Sequence, residues 1–479
     1  MTTAPVPRKA TPAHPPPGRG IRDDEDRLPP NPASWLTLMV SAALVGLLAG
    51  LLGGAFRLSI RWAEALRETQ IRSGAHGIWG SLLTIVCCAA AAALASWLPQ
   101  RFAPSSAGSG IPHVEAVLRN RVLPPGLPII PVKFLGGLLG IGAGLALGRE
   151  GPTVQMGATV GRLVGDRLVQ QRKFRLLPEP WTLIAAGAGA GLATAFDAPL
   201  AGVIFVLEEL LRRFSARVLG ATVVASVCAT AVARVMTGPR PELAVTAFSD
   251  VPLTALPGFI LLGLAAGLLA MAYNAGTIRT LKLFDRMPQR LRPLTGAAVG
   301  AAAGALALVW PSALGGGEPI AVQAVAFPLG LTTGSLVVLI LLRWPLSLSS
   351  YATGSPGGVF APMLALGALL GLATVRLAHV WGVERAGASA VVVVSITAFF
   401  TGAVRSPLTG VVLLLEMTGA FPLLLPMLAG SGAAYVLTEF LRSPPLYDLL
   451  RERDERRDRP RPRESAPAVA PVPVPERGG

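Results

Sequence analysis

Long apolar runs separated by short polar stretches organise this chain. They extend from Trp35 to Phe56, Ile78 to Leu98, Ile129 to Leu147, Trp181 to Phe196, Pro257 to Tyr273, Leu331 to Leu342 and Ala390 to Phe400. Several reach the ~20 residues a helix needs to cross the hydrocarbon of a bilayer, and others fall short. Backbone groups without partners are not tolerated against lipid, so the short runs predict partial or broken helices buried inside the protein. Residues 1–33 hold Pro, Arg and Asp with no apolar period and predict a disordered tail. Residues 451–479 begin with a mixed-charge run, Arg451 to Arg463, finish in Ala, Pro and Val, and predict a second one. Residues 34–450 read as one all-α integral membrane domain, with no length after Leu450 for an appended regulatory domain. The polar start does not have the form of a cleavable signal.

Within that domain the chain repeats itself. Ala198 to Glu208 reads A-P-L-A-G-V-I-F-V-L-E, and Ser406 to Glu416 reads S-P-L-T-G-V-V-L-L-L-E. Upstream, G-R-E-G-P (Gly148 to Pro152) matches G-V-F-A-P (Gly358 to Pro362), and G-S-G-I-P (Gly108 to Pro112) matches G-G-G-E-P (Gly315 to Pro319). Three pairs in one order at nearly one offset indicate a duplication, with halves at about 34–237 and 252–446. Duplicated membrane segments interrupted by Gly and Pro in matching places predict a transporter with its site between the halves. The expected fold is therefore all-α, with many tilted and broken helices.

Composition agrees: 52% of residues are hydrophobic and 14% charged, and the mean hydropathy is +0.56. The net charge of +15 raises nucleic acid as a partner. Its distribution argues against that, because basic residues gather between apolar runs, at Arg162 to Arg175, Arg212 to Arg217 and Arg279 to Arg292. That is how cytoplasmic loops read under the positive-inside rule. Cys87, Cys88 and Cys228 lie within apolar runs as small packing residues, with neither a disulfide framework nor metal-ligand spacing.

Each motif places glycine and proline where one apolar segment stops and another starts. A helix beginning inside the membrane presents free N–H groups and the positive end of its dipole. Glycines let that backbone approach an ion closely, giving an anion site without a full positive charge. Glu150, a carboxylate at membrane depth, is a functional candidate by default, with pairing to neighbouring Arg149 as its structural alternative. Asp197 before Ala198-Pro199 reads as a helix cap. The helix would run to Arg213, on the order of 24 Å, leaving Glu208 and Glu209 near the cytoplasmic surface.

G-S-G-I-P at 108–112, G-R-E-G-P at 148–152 and G-G-V-F-A-P at 357–362 together resemble the CLC family of chloride channels and chloride/proton exchangers, as does P-L-Y at 445–447. The resemblance covers the chain between its tails. It implies inverted repeats and a homodimer with one pore per subunit. It also implies chloride bound by Ser109, Tyr447 and the backbone N–H groups of Val359 and Phe360. Glu150 would then be the external gate and proton acceptor. Gly108, Gly110, Ile111, Pro112, Gly148, Arg149, Gly151 and Pro152 would frame the pore. No cofactor or metal is implied, only transported chloride and protons, and lipid and a bacterial inner membrane with both termini cytoplasmic are expected.

Glu209 separates the mechanisms. Family exchangers resemble this chain in carrying glutamate there as the internal proton acceptor, and the alternative is a passive chloride channel of the same fold. Adjacent carboxylates could also simply pair with Arg212 and Arg213 at the helix end. Ser109 favours chloride, since nitrate-preferring members carry proline there. Glu416, the repeat partner of Glu208, reads as structural. An intramembrane serine protease would need glycine at Ala107, and Gly142, Gly144 and Gly148 match no phosphate-binding loop.

Overall fold

The computed structural model describes residues 32–74, 77–170, 180–238, 243, 251–326, 332–377 and 387–458. The tail positions 1–31 and 459–479, and the basic residues 171–179, lie outside the described residues. Apart from one isolated bridge, the described chain is helical. The first copy supplies α1 (Pro32–Gly74), α2 (Ile78–Phe102), α3 (Ile111–Leu118), α4 (Ile129–Gly142), α5 (Glu150–Gln170), α6 (Pro180–Phe196), α7 (Pro199–Phe205) and α8 (Ala216–Thr237). The second supplies α9 (Leu256–Asp285), α10 (Arg292–Val309), α11 (Glu318–Ala326), α12 (Thr333–Ala352), α13 (Phe360–Leu377), α14 (Ala388–Val404), α15 (Pro407–Thr418) and α16 (Leu424–Phe440). A final helix, α17 (Leu446–Asp458), packs on α3.

The copies pack alike. α5 lies on α6 as α13 lies on α14, α1 on α8 as α9 on α16, and α3 on α5 as α11 on α13. Where the copies meet, each helix touches its own counterpart: α2 meets α10 and α7 meets α15. Small residues permit this closeness. A Cβ built on Gly157 of α5 would lie 2.1 Å from the Gly187 carbonyl oxygen of α6. Eight helical segments among the described residues are long and apolar enough to cross a bilayer, whereas α4, α6, α14 and α15 are shorter. α14 is buried along nearly its whole length, an interior helix that protein surrounds, whereas the short run from Leu331 to Leu342 falls largely within the span-length α12, which exposes Val337, Val338 and Leu341.

Two expectations are corrected. Asp197 does not cap α7: it sits at φ 57°, and its carboxylate accepts two bonds from Arg234 Nε at 2.8 and 3.1 Å. Glu416 does so instead, accepting the N–H groups of Leu200 at 3.0 Å and Ala201 at 2.8 Å. Glu208 returns the favour to α15, accepting the N–H groups of Leu408 at 3.0 Å and Thr409 at 2.7 Å and the Thr409 hydroxyl at 2.7 Å. α7 and α15 are therefore antiparallel, each ending in a glutamate that satisfies the other's start. Second, the charged run from Arg451 is not a free tail from its first residue, because α17 carries it to Asp458. Arg453 pairs with Asp285 of α9 at 2.8 Å and Arg451 with Glu115 of α3 at 3.7 Å, which anchors that helix.

Candidate functional site

The buried centre is made where helices begin. In the first motif Gly108 and Gly110 hold φ of +64° and +84°, and α3 starts at Ile111 with Pro112 in its first turn. A left-handed turn this tight needs glycine. Gly148 and Gly358 exchange two backbone hydrogen bonds of 2.8 Å, an antiparallel bridge between the copies. α5 begins two residues after the first and α13 two after the second, so two helix N-termini face one point. Glu150 fills that point. It is fully buried, and its Oε1 accepts the Phe360 N–H at 2.8 Å. A Cβ on either Gly148 or Gly358 would stand 2.0 Å from this carboxylate, so only glycine leaves it room.

Ser109 joins the same point: a Cβ on Gly151 would lie 2.8 Å from its Oγ. That hydroxyl and the Tyr447 hydroxyl are both buried and have no hydrogen-bond partner among the described residues. The Tyr447 hydroxyl lies within electrostatic reach of Glu150 and Glu209. Unpartnered buried donors beside helix N-termini suit a small anion, which would accept from all of them. Val359 is buried immediately before Phe360. Phe360 also packs its ring on Phe196 and Phe400, with centroids at 5.0 and 4.2 Å, closing the point with apolar surface. Pairing of Glu150 with Arg149 does not occur. Arg149 turns away to the Ala195 carbonyl at 2.7 Å and to Glu318 at 2.8 Å.

Buried Lys133 stands behind the first motif and donates to the carbonyl oxygens of Gly108 at 2.6 Å and Ser109 at 3.0 Å. Those carbonyls are thereby held by the lysine and are not left facing an anion. The second copy repeats the arrangement: buried Arg343 donates to the Ala313 carbonyl at 2.8 Å. Cavities flank the centre. One of about 570 Å³ reaches Gly108, Ser109, Gly110 and His113. Another, of about 340 Å³, reaches Gly148, Arg149 and Glu318.

Glu209 belongs to a separate cluster. α7 passes into a π-helical turn, Val206–Leu211, capped by Arg212, so helical structure ends two residues before Arg213. This widened turn buries Glu209, which accepts the Ser406 hydroxyl at 2.6 Å and pairs with Arg212 at 3.4 Å. Arg212 continues to Asp448 at 2.9 Å and, at 4.0 Å, to buried Glu115. The Arg212 contact expected of a helix-end pair is present, but the carboxylate is enclosed. Lys133, Arg343, Glu115 and Ser406 went unread in the sequence. Lys133 was the findable one, as a lone cation inside the apolar run from Ile129 to Leu147.

Comparison with known proteins places the chain among relatives. A family model described as voltage gated chloride channel matches residues 91–439. The H(+)/Cl(-) exchange transporter ClcA of Salmonella typhimurium is 36% identical over 441 residues, covering 90% of this chain and 92% of that protein. A crystal structure of a slow cyanobacterial Cl-/H+ antiporter superposes with a TM-score of 0.83 at 32% identity, covering 88% of this chain and 98% of the other. A eukaryotic CLC transporter has a TM-score of 0.70 at 24% identity, covering 88% of this chain and 74% of that one, and shares the fold.

Proposed function

From the premise that the chain belongs to the CLC family of voltage gated chloride channels, we propose that it is a chloride/proton antiporter, an integral membrane transporter rather than a passive pore. The observation that carries the mechanism is the bond from the Phe360 N–H to the Glu150 carboxylate, beside the unpartnered Ser109 hydroxyl. A carboxylate and a chloride ion want the same donors. When Glu150 is ionised it occupies them as a tethered anion. When it is protonated its claim weakens, it leaves, and chloride takes the N–H groups of Val359 and Phe360 with the hydroxyls of Ser109 and Tyr447. Proton uptake and anion entry then favour each other, a reciprocity required by linkage.

In this reading Glu209 takes protons from the cytoplasmic side. The support is its burial within a cluster reaching Arg212 and Asp448, both partly open to solvent. The larger cavity, beside Arg451 and Arg453, is then the cytoplasmic mouth, and the cavity beside Glu318 the external one. A homodimer in a bacterial inner membrane, with both termini cytoplasmic, completes the proposal.

The test is proton movement in liposomes holding the purified protein under a chloride gradient, with an ionophore clamping the voltage. Chloride running down its gradient should drive protons uphill, and Glu209→Ala should stop the protons while chloride still flows. Chloride flux without proton movement in the unmodified protein would overturn the antiporter reading.

A further inference from the structure

The duplication makes each half a control for the other, and one difference stands out at the external cavity. When the motifs of the two halves are aligned, Arg149 corresponds to Val359 and Glu318 to Ile111. That charged pair joins the two halves, and both of its counterparts, Val359 and Ile111, are apolar. Arg149 is nearly buried and binds Glu318 at 2.8 Å, while Glu318 is 33% exposed and lines the cavity of about 340 Å³. The same cavity reaches Leu147, Gly148 and Arg149, the backbone directly before Glu150. The Arg149 guanidinium lies on the wall of this cavity beside Gly148, with Arg61 and Glu64 lining the same space. Left alone, that guanidinium is an electrostatic lure. With a carboxylate on it the local field is largely cancelled.

We propose that Glu318 is a positioning residue that sets external anion affinity: by holding Arg149 it competes with chloride for the guanidinium and keeps the mouth of the pathway from retaining the ion. The proposal rests on the antiporter reading for which ion moves, and on the Arg149 contact for how. Glu318 is also the first residue of α11, where an acid complements the helix dipole. That role concerns the stability of α11 and gives no reason for chloride affinity to follow charge.

The experiment is the chloride dependence of transport in liposomes for the unmodified protein, Glu318→Asp, Glu318→Gln and Glu318→Lys, at constant ionic strength with an impermeant anion. KM for chloride should stay near its starting value in the aspartate variant. It should fall on the order of threefold to tenfold for each unit of charge removed or reversed, the size of one screened charge at this range. The ratio of protons to chloride should not change. Glu318→Asn carries the same step should the glutamine variant not fold. KM unchanged across the series overturns the proposal. So does a loss of turnover in the glutamine variant with a lowered melting temperature and unchanged KM, since Glu318 then only supports α11. Absence of proton movement in the unmodified protein would instead overturn the antiporter reading and leave the KM series to decide the role of Glu318.

Discussion

Glu208 and Glu209 are neighbours in sequence with unrelated surroundings, and neutralising each should produce opposite phenotypes. The Glu208 carboxylate accepts three hydrogen bonds from the start of α15, at 3.0, 2.7 and 2.7 Å. Glu208→Gln keeps one oxygen but turns an NH2 toward a helix N–H. Losing one charge-assisted bond and the dipole interaction costs about 2 kcal/mol. Glu208→Ala removes all three bonds and strands two N–H donors, about 4 kcal/mol. For a chain this long those costs lower the melting temperature by about 2–3 °C and about 5 °C respectively. Glu209→Gln is milder. Its amide oxygen can still accept the Ser406 hydroxyl, and Arg212 keeps Asp448 at 2.9 Å, so the loss is about 1 kcal/mol. Melting followed by tryptophan fluorescence in detergent should therefore rank Glu208→Ala lowest. In liposomes both Glu208 variants should still couple chloride to protons, whereas Glu209→Gln should pass chloride alone. Loss of proton movement in Glu208→Gln with unchanged melting would refute the cap as the reason for that residue.

Tyr447→Phe deletes a hydroxyl without a protein partner, so melting should hardly move, while calorimetry should show chloride affinity lowered about threefold to tenfold. Gly110→Ala puts a methyl 2.3 Å from Gln155 Oε1 at φ +84°, and both strain and clash should reduce folded yield in detergent extracts, judged by size-exclusion chromatography. Asp197→Asn should be tolerated within about 1 kcal/mol, since asparagine suits its φ of 57° and only the Arg234 pair weakens; Asp197→Ala should melt distinctly lower.

What could be read in the chain was what local rules determine. Glycine and proline at 108–112, 148–152 and 357–362 impose their geometry on the backbone whatever surrounds them, so the helix starts and the duplication were visible. The mutual caps of Glu208 and Glu416 were not, because each depends on a helix about two hundred residues away. Asp197 read as a cap for the same reason: its sequence neighbours suit that role, and only the fold brings Arg234 to it. α8, α10, α13 and α16 escaped because Gly, Ser, Thr or Pro breaks each into short apolar pieces. Their lipid-crossing length emerges only once helix bounds are known. The start of the C-terminal tail looked disordered since it lacks an apolar period. Charges met from α9, such as Asp285, make it a helix.

The duplicated frame explains how one centre can treat two ions differently. An unbroken repeat would offer two equal nests of N–H groups, facing each other across the Gly148–Gly358 bridge, with no means of telling an anion from a carboxylate. Backbone geometry is kept in both halves, and only side chains break the equality. Ser109 faces Gly316 in the comparison, and Glu150 faces Phe360, so one half contributes a hydroxyl and a tethered acid where the other contributes bare backbone and an aromatic lid. Phe360 donates its N–H to Glu150 and stacks its ring on Phe196 and Phe400. Water is thus kept from a bond whose strength then depends on the charge of the acid. The buried cations keep the frame: Lys133 and Arg343, at the same repeat position, each hold loop carbonyls in their own half. In the proposed mechanism selectivity is accordingly assigned to Ser109 and Tyr447 and coupling to Glu150.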